Sequence, residues 1–213
     1  MDEINWTEAR RYLGLKREVP ELEEKLRQAG ELLLSTARPR GVWRRFPLSR
    51  SGKQLSFAGI QTESHALSTH LEGCREVCLL AVTLGVEADR LLERLTLTDA
   101  ALAVMVQACA AALLESCCDR YEEAIAAEAS TEKLFLRPRF SPGYGDLPLA
   151  LQAPLLRALE GEKRIGLTVT GGDMLVPTKS VTAVIGLSSH AGVCHAKGCA
   201  TCNKKDCHFQ REA

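Results

Sequence analysis

The residues best suited to chemistry stand in residues 137–146, whose sequence is RPRFSPGYGD. Proline and glycine break the backbone pairing of helices and central strands, so this composition predicts a shaped loop. Such a loop holds Arg139, Ser141 and Tyr144 in a defined arrangement, and its glycines let the backbone approach a ligand closely. We therefore expect a site for a small anionic or zwitterionic ligand here.

A second concentration of reactive side chains lies near the C-terminus. Four cysteines are separated there by four, two and four residues, with two histidines beside them: Cys194, Cys199, Cys202 and Cys207, with His195 and His208. Thiolates in such number bind zinc tetrahedrally or ligate an iron–sulfur cluster. The first three have the four-then-two spacing of plant-type ferredoxins, and zinc has no redox chemistry. The spacing alone leaves open an iron–sulfur cluster, zinc, and a regulatory metal or none.

The other five of the nine cysteines lie in apolar patterns, so we expect them to be small core residues: Cys74, Cys78, Cys109, Cys117 and Cys118. No disulfide framework is visible, which is typical of a reducing compartment. His65 and His70 do not share a helix face and are expected to be surface or capping residues. Gly171-Gly172-Asp173 lacks the spacing of a phosphate-binding loop and is expected to be a turn.

Composition excludes several classes of function. The chain has 213 residues, of which 46% are hydrophobic, so it can build a sizeable core. Lys and Arg (27) balance Asp and Glu (27), so no overall field favours nucleic acid or an anionic membrane. The acidic N-terminus is unlike a secretion signal, and the longest apolar run, residues 100–114, is short for a membrane span. These features predict a cytoplasmic protein without a nucleic-acid or membrane partner.

The spacing of the apolar residues predicts the helices and strands that must position these residues. In the first third, helices are expected over residues 6–15 and after Pro20, followed by strands over 42–48 and 54–60 that form a hairpin around Ser51-Gly52. This hairpin region is basic, and its side chains could form a solvated face or a docking patch for an acidic protein: Arg38, Arg40, Arg44, Arg45, Arg50 and Lys53.

A buried strand is expected next at 76–83, then a helix over 87–95. Residues 99–129 contain neither Gly nor Pro and predict one long central helix, with a start signal at Thr96 and Asp99.

The last elements are a helix over 147–159 and strands at 164–169 and 180–187 around a turn. The fold class is α+β: a mixed, mostly antiparallel sheet packed on the long central helix and further helices. We expect one domain over residues 1–190 and a short Cys-rich metal-binding tail over 191–213.

Three segments in this order resemble the activation domain of cobalamin-dependent methionine synthase. They are Arg139-Phe140-Ser141-Pro142-Gly143-Tyr144, the run KRIGLTVT at 163–170, and residues 177–187 with Ser189-His190 beyond. The resemblance covers most of residues 65–190, and the chain looks like a stand-alone version of that domain.

The resemblance implies a domain that binds S-adenosylmethionine and presents its methyl group to the cobalamin of another protein. Carried over by motif, Arg139 pairs with the ligand's carboxylate, and Tyr144 and the backbone at Ser141 complete the loop side. Glu115 falls where the family has an acidic ligand, suited to the ammonium or sulfonium charge. Where the family uses an aspartate upstream, this chain has Asn5.

The implied partners are a cobalamin-binding methionine synthase or a related corrinoid protein, and flavodoxin or ferredoxin as electron donor. The chain would then be an accessory component of a methyltransferase system and not a complete enzyme. Two other interpretations stay open: a metal-stabilised adaptor or sensor that binds S-adenosylmethionine without methyl transfer, and an activator of other corrinoid methyltransferases.

Overall fold

The computed structural model of the chain describes residues 3–15 and 19–190. The helices in chain order are α1 (Trp6–Tyr12), α2 (Pro20–Thr36), α3 (His65–His70), α4 (Val86–Thr98), α5 (Ala100–Thr131), a 3-10 turn (Leu149–Leu151), α6 (Gln152–Leu159) and α7 (Gly161–Ile165). The strands are β1 (Arg40–Pro47), β2 (Ser49–Ser51), β3 (Gln54–Phe57), β4 (Ile60–Thr62), β5 (Cys74–Thr83), β6 (Phe135–Leu136), β7 (Thr168–Val169), β8 (Leu175–Val176) and β9 (Ser180–Ser188).

The main sheet has the strand order β1-β5-β9-β6, and every pairing in it is antiparallel. Alternate residues of β5 enter two separate cores: Leu80 packs among the helices α1, α2, α4 and α5, and Leu79 packs toward α3, α6 and the smaller strands. Both residues are fully buried. The sheet is therefore the middle of three layers, which explains why β5 reads as a continuous apolar run.

The long helix α5 is the main support on one face of the sheet. Asp99 begins it by accepting a hydrogen bond from the N–H of Leu102 at 3.0 Å, as an N-cap residue does. By length and composition α5 could cross a membrane, but 61% of its apolar window is buried inside the domain. Gly41 of β1 lets α5 approach the sheet closely, because the ring of Tyr121 in α5 occupies the space that a side chain at Gly41 would need. α5 is therefore a core helix.

The predicted fold class is confirmed, together with the helix start at Pro20 and the buried strand β5. The division into domains at residue 190 stays a prediction, because residues 191–213 lie outside the described part of the chain.

Three local predictions were wrong. The turn at Gly52 joins β2 to β3, whereas β1 pairs along its whole length with the buried strand β5, which offers it a longer partner than the short strands of the hairpin. Residues 164–165 end the helix α7, and the turn at Gly171-Gly172 joins β7 to β8 instead of leading to β9. Thr96 does not cap α5; its hydroxyl donates to the carbonyl of Leu92 inside α4.

Part of the basic region is used inside the domain. Arg45 pairs with Glu76 at 3.0 Å and with Glu132 at 2.6 Å, joining the sheet to the end of α5. Arg50 donates to the backbone carbonyls of Ser68 and Leu71. These two arginines therefore act as structural ties, and a docking patch here stays a prediction.

The loop at residues 137–146 is anchored at both ends. Phe140 exchanges two backbone hydrogen bonds of 2.9 Å with Val184 in β9. At the far end, the Asp146 carboxylate accepts from the hydroxyl of Ser64 at 2.5 Å and from the N–H groups of His65 at 2.7 Å and Ala66 at 3.0 Å. The Ser64 hydrogen bond is the main reason why the pKa of Asp146 lies below its usual value.

We expect Asp146→Asn to lower the melting temperature at pH 7, because the charged acceptor at the start of α3 is lost. A carboxyl group with a lowered pKa in the folded state stabilises the protein above its unfolded pKa, and this contribution disappears as the pH falls through the folded pKa. The difference in melting temperature between wild type and variant should therefore shrink below about pH 4. Thermal unfolding between pH 7 and pH 3 measures it, with the exposed Glu123→Gln as control. A difference that stays constant with pH would contradict this role.

Candidate functional site

The side chain of Arg139 lies across α5 and contacts three acidic residues of that helix. Its Nη2 is 2.8 Å from Glu115 Oε2, its Nη1 is 3.0 Å from Asp119 Oδ1, and its Nε is 3.5 Å from Glu122 Oε1. The three carboxylates stand at i, i+4 and i+7 and so follow one face of the helix. We call these four residues the arginine–carboxylate cluster.

The structure thus brings together two of the predicted site residues, Arg139 and Glu115. The sequence assigned them to opposite charges of one ligand, whereas in the free chain they pair with each other. Asp119 and Glu122 were not predicted as site residues. Their helical spacing from Glu115 was the signal that could have found them.

The cluster carries more negative than positive charge, since three carboxylates surround one guanidinium. Burial leaves only 19% of the Arg139 side chain exposed and opposes its charged form. The negative charge that the Cys118 thiol takes on at high pH, followed by the charges of Glu122, Glu115 and Asp119, outweighs this and raises the pKa of Arg139. Arg139 is therefore a fixed cation, and two of its partners remain open to solvent: the side chains of Glu115 and Asp119 are 47% and 60% exposed.

Helix α1 lies against α5 at the same place. Burial, followed by the negative charge of Glu115, raises the pKa of Tyr12. The guanidinium of Arg11 lies 4.7 Å from the centre of the Tyr12 ring and also pairs with Glu8 at 2.5 Å. Asn5 accepts from the N–H of Glu8 at 3.1 Å and so caps α1.

The Pro-Gly-Tyr part of the loop forms a tight turn over the buried Phe140. The N–H of Tyr144 donates to the carbonyl of Ser141 at 3.1 Å, and Gly143 has a φ of 87°, a conformation that glycine adopts without strain. Tyr144 stacks edge-on against Phe140, with ring centres 5.4 Å apart, and is 71% exposed. The predicted loop residues Ser141 and Tyr144 therefore lie at an accessible surface, with Tyr144 presenting an aromatic face.

His70 supports the same loop from the end of α3. Its Nε2 lies 2.8 Å from the carbonyl oxygen of Pro138, within hydrogen-bond distance, and its ring centre is 5.1 Å from that of Phe140. The sequence suggested a surface or capping role for His70. Its contact with the residue before Arg139 was missed, because the two positions are far apart in the chain.

The cysteines in the described residues behave as core side chains. Cys74, Cys78, Cys109, Cys117 and Cys118 are all buried. Burial raises the pKa of Cys118, which lies beneath the cluster, to about 12, so its thiol stays protonated at neutral pH. Within residues 3–15 and 19–190, no group of three or more His, Cys, Asp or Glu side chains could hold a metal ion. The four predicted metal ligands, Cys194, Cys199, Cys202 and Cys207, lie outside the described residues.

Comparison with known proteins gives a likeness in structure and none in sequence. No protein-family model matches the chain, and no curated protein matches it. Among solved structures, 13 chains match. One is the crystal structure of the MetH reactivation domain bound to AdoHcy, which is 22% identical with a TM-score of 0.67 over 87% of this chain and 74% of that one. The resemblance expected from the loop and strand motifs is thus confirmed: this chain has the fold of the MetH reactivation domain.

Proposed function

We propose that the chain binds S-adenosylmethionine at the arginine–carboxylate cluster. The observation that carries the proposal is that Arg139 and Glu115, chosen from separate motifs, meet in a fold shared with a domain solved with AdoHcy. The guanidinium can donate a charge-assisted hydrogen bond to the ligand's carboxylate, and the acidic side chains suit the ammonium and sulfonium groups. Residue types and charges therefore fit both ends of the ligand's amino-acid part.

The loop supplies the rest of the proposed site. Tyr144, five residues after Arg139 in the same loop, presents an exposed aromatic side chain, and the backbone at Ser141 offers hydrogen-bonding groups. Aromatic side chains bind flat apolar groups through their faces and bind cations through the ring quadrupole. Because the loop is anchored by Phe140 and Asp146, these groups are held before the ligand arrives, which lowers the entropy cost of binding.

We further propose that the chain acts in trans on a cobalamin-dependent methionine synthase without an activation domain of its own. One electron reduces cob(II)alamin on the partner to cob(I)alamin, which takes the methyl group of S-adenosylmethionine and leaves S-adenosylhomocysteine. The chain's own residues bind and orient the methyl donor, while the cofactor supplies the chemistry. Flavodoxin, ferredoxin or the chain's own tail would deliver the electron, and the system would be cytoplasmic.

For the tail, we propose that Cys194, Cys199, Cys202 and Cys207 bind a metal. An iron–sulfur cluster is the favoured occupant, because the proposed reaction needs a one-electron donor and zinc cannot provide one. Zinc is the alternative, with a purely structural role.

Isothermal titration tests the ligand and the role of Arg139. We expect selective, saturable binding of S-adenosylmethionine and no binding of ATP. Arg139→Ala should weaken binding by about 2–4 kcal/mol, or roughly 30- to 700-fold, because the ligand's carboxylate loses its partner. Arg139→Lys keeps the charge but not the planar fork, so its affinity should lie between those of wild type and Arg139→Ala. The exposed Arg164→Ala serves as control, and an unchanged affinity for Arg139→Ala would remove this residue from the site.

A methylation assay tests action in trans. The full chain is mixed with a cobalamin-loaded methionine synthase deprived of its activation domain, reduced flavodoxin and S-adenosylmethionine. We expect the cob(II)alamin spectrum to change to that of methylcobalamin only when the chain is present. Ligand binding without any such change would contradict reactivation and favour the adaptor or sensor interpretation.

The tail metal is tested by absorption spectroscopy of anaerobically purified protein. A cluster predicts a visible band that bleaches on reduction and is lost in the double variant Cys199→Ser/Cys202→Ser, but is kept in Cys74→Ala. A colourless protein with bound zinc would exclude the cluster. A protein with neither metal would overturn the proposed metal site.

A further inference from the structure

We infer that Asp119 determines the charge specificity of the site, so that a cationic sulfonium ligand binds more tightly than its neutral thioether counterpart. The inference rests on the proposed function and adds to it a specificity residue outside the motifs. The observation behind it is the unequal geometry of the three carboxylates around one guanidinium.

Asp119 is the contact of Arg139 that solvent reaches most easily. Its side chain is 60% exposed, against 47% for Glu115 and 20% for Glu122. It also binds Nη1, whereas Glu115 binds Nη2. A ligand carboxylate arriving from solvent can therefore replace Asp119 on Nη1 while Glu115 keeps its place on Nη2.

This exchange leaves the carboxylate of Asp119 close to the ligand without its cation. The ligand's own carboxylate and ammonium groups cancel each other, so the cluster keeps its excess of negative charge. In S-adenosylmethionine the sulfonium is two methylene groups from the α-carbon, within reach of that charge. S-adenosylhomocysteine has an uncharged thioether there and gains nothing from it.

Two other ionisable groups of the described residues lie at the cluster, and neither adds charge to it. Tyr12 and Cys118 are neutral at pH 7, since burial is the largest cause that raises the pKa of each. The charge of Asp119 therefore acts on the ligand.

The size of the effect follows from Coulomb's law. One unit charge about 6–8 Å away changes an equilibrium constant by roughly twofold to threefold at an effective dielectric constant of about 80, and by roughly thirtyfold to a hundredfold at about 20, so a half-exposed site lies between these limits. Because Asp119 and Glu115 are half exposed, salt should screen much of this attraction.

The experiment is a titration of wild type and Asp119→Asn with S-adenosylmethionine and S-adenosylhomocysteine, at low and high salt. We expect wild type to prefer S-adenosylmethionine, and the ratio of the two affinities to fall about threefold to tenfold in Asp119→Asn. The affinity for S-adenosylhomocysteine should rise or stay equal, because Arg139 loses a competitor. High salt should reduce the ratio for wild type.

Glu128→Gln is the matched control, since it removes one charge from α5 about 13 Å further along the helix. If neither Asp119→Asn nor high salt changed the ratio of the affinities for the two ligands, the inference would be overturned and the proposed function would stand. If wild type bound neither ligand, both would be overturned. If circular dichroism shows that Asp119→Asn does not fold, the salt dependence of the affinity ratio in wild type tests the inference instead.

Discussion

The ion pairs between Arg139 and the acidic face of α5 connect the loop at residues 137–146 to the long core helix. A guanidinium with 19% of its side chain exposed needs partners, because an unpaired charge at that depth would be costly. Glu115 and Asp119 meet this need from a helix that the core holds rigidly. The loop therefore has one orientation relative to α5, and a polar surface of fixed geometry results.

The rest of the fold keeps that surface in place. Strand β9 has both faces buried and carries Phe140 through paired backbone hydrogen bonds, so the loop inherits the rigidity of the main sheet. Asp146 and His70 fasten the same loop to α3. The loop therefore takes its precision from rigid elements, while Ser141 and Tyr144 remain accessible at the surface.

Features with a local cause could be predicted from the sequence. The long helix α5 followed from a run without Gly or Pro after Asp99, and α2 from Pro20 at its start. The partner of β1 could not be predicted, because its pairing with β5 joins segments that are distant in the chain and depends on where β5 lies in the sheet. Among site residues, Arg139 and Glu115 followed from motifs. Asp119 could have been found from its helical spacing to Glu115. The role of His70 depends on a contact between distant segments, which no local pattern encodes.

The central claim is that S-adenosylmethionine occupies the arginine–carboxylate cluster, and a crystal structure of the full chain grown with this ligand tests it most directly. The account predicts the ligand's carboxylate within hydrogen-bond distance of Arg139, its ammonium near Glu115 and its sulfonium on the side of Asp119. A ligand bound elsewhere, with all the ion pairs of Arg139 intact, would contradict it.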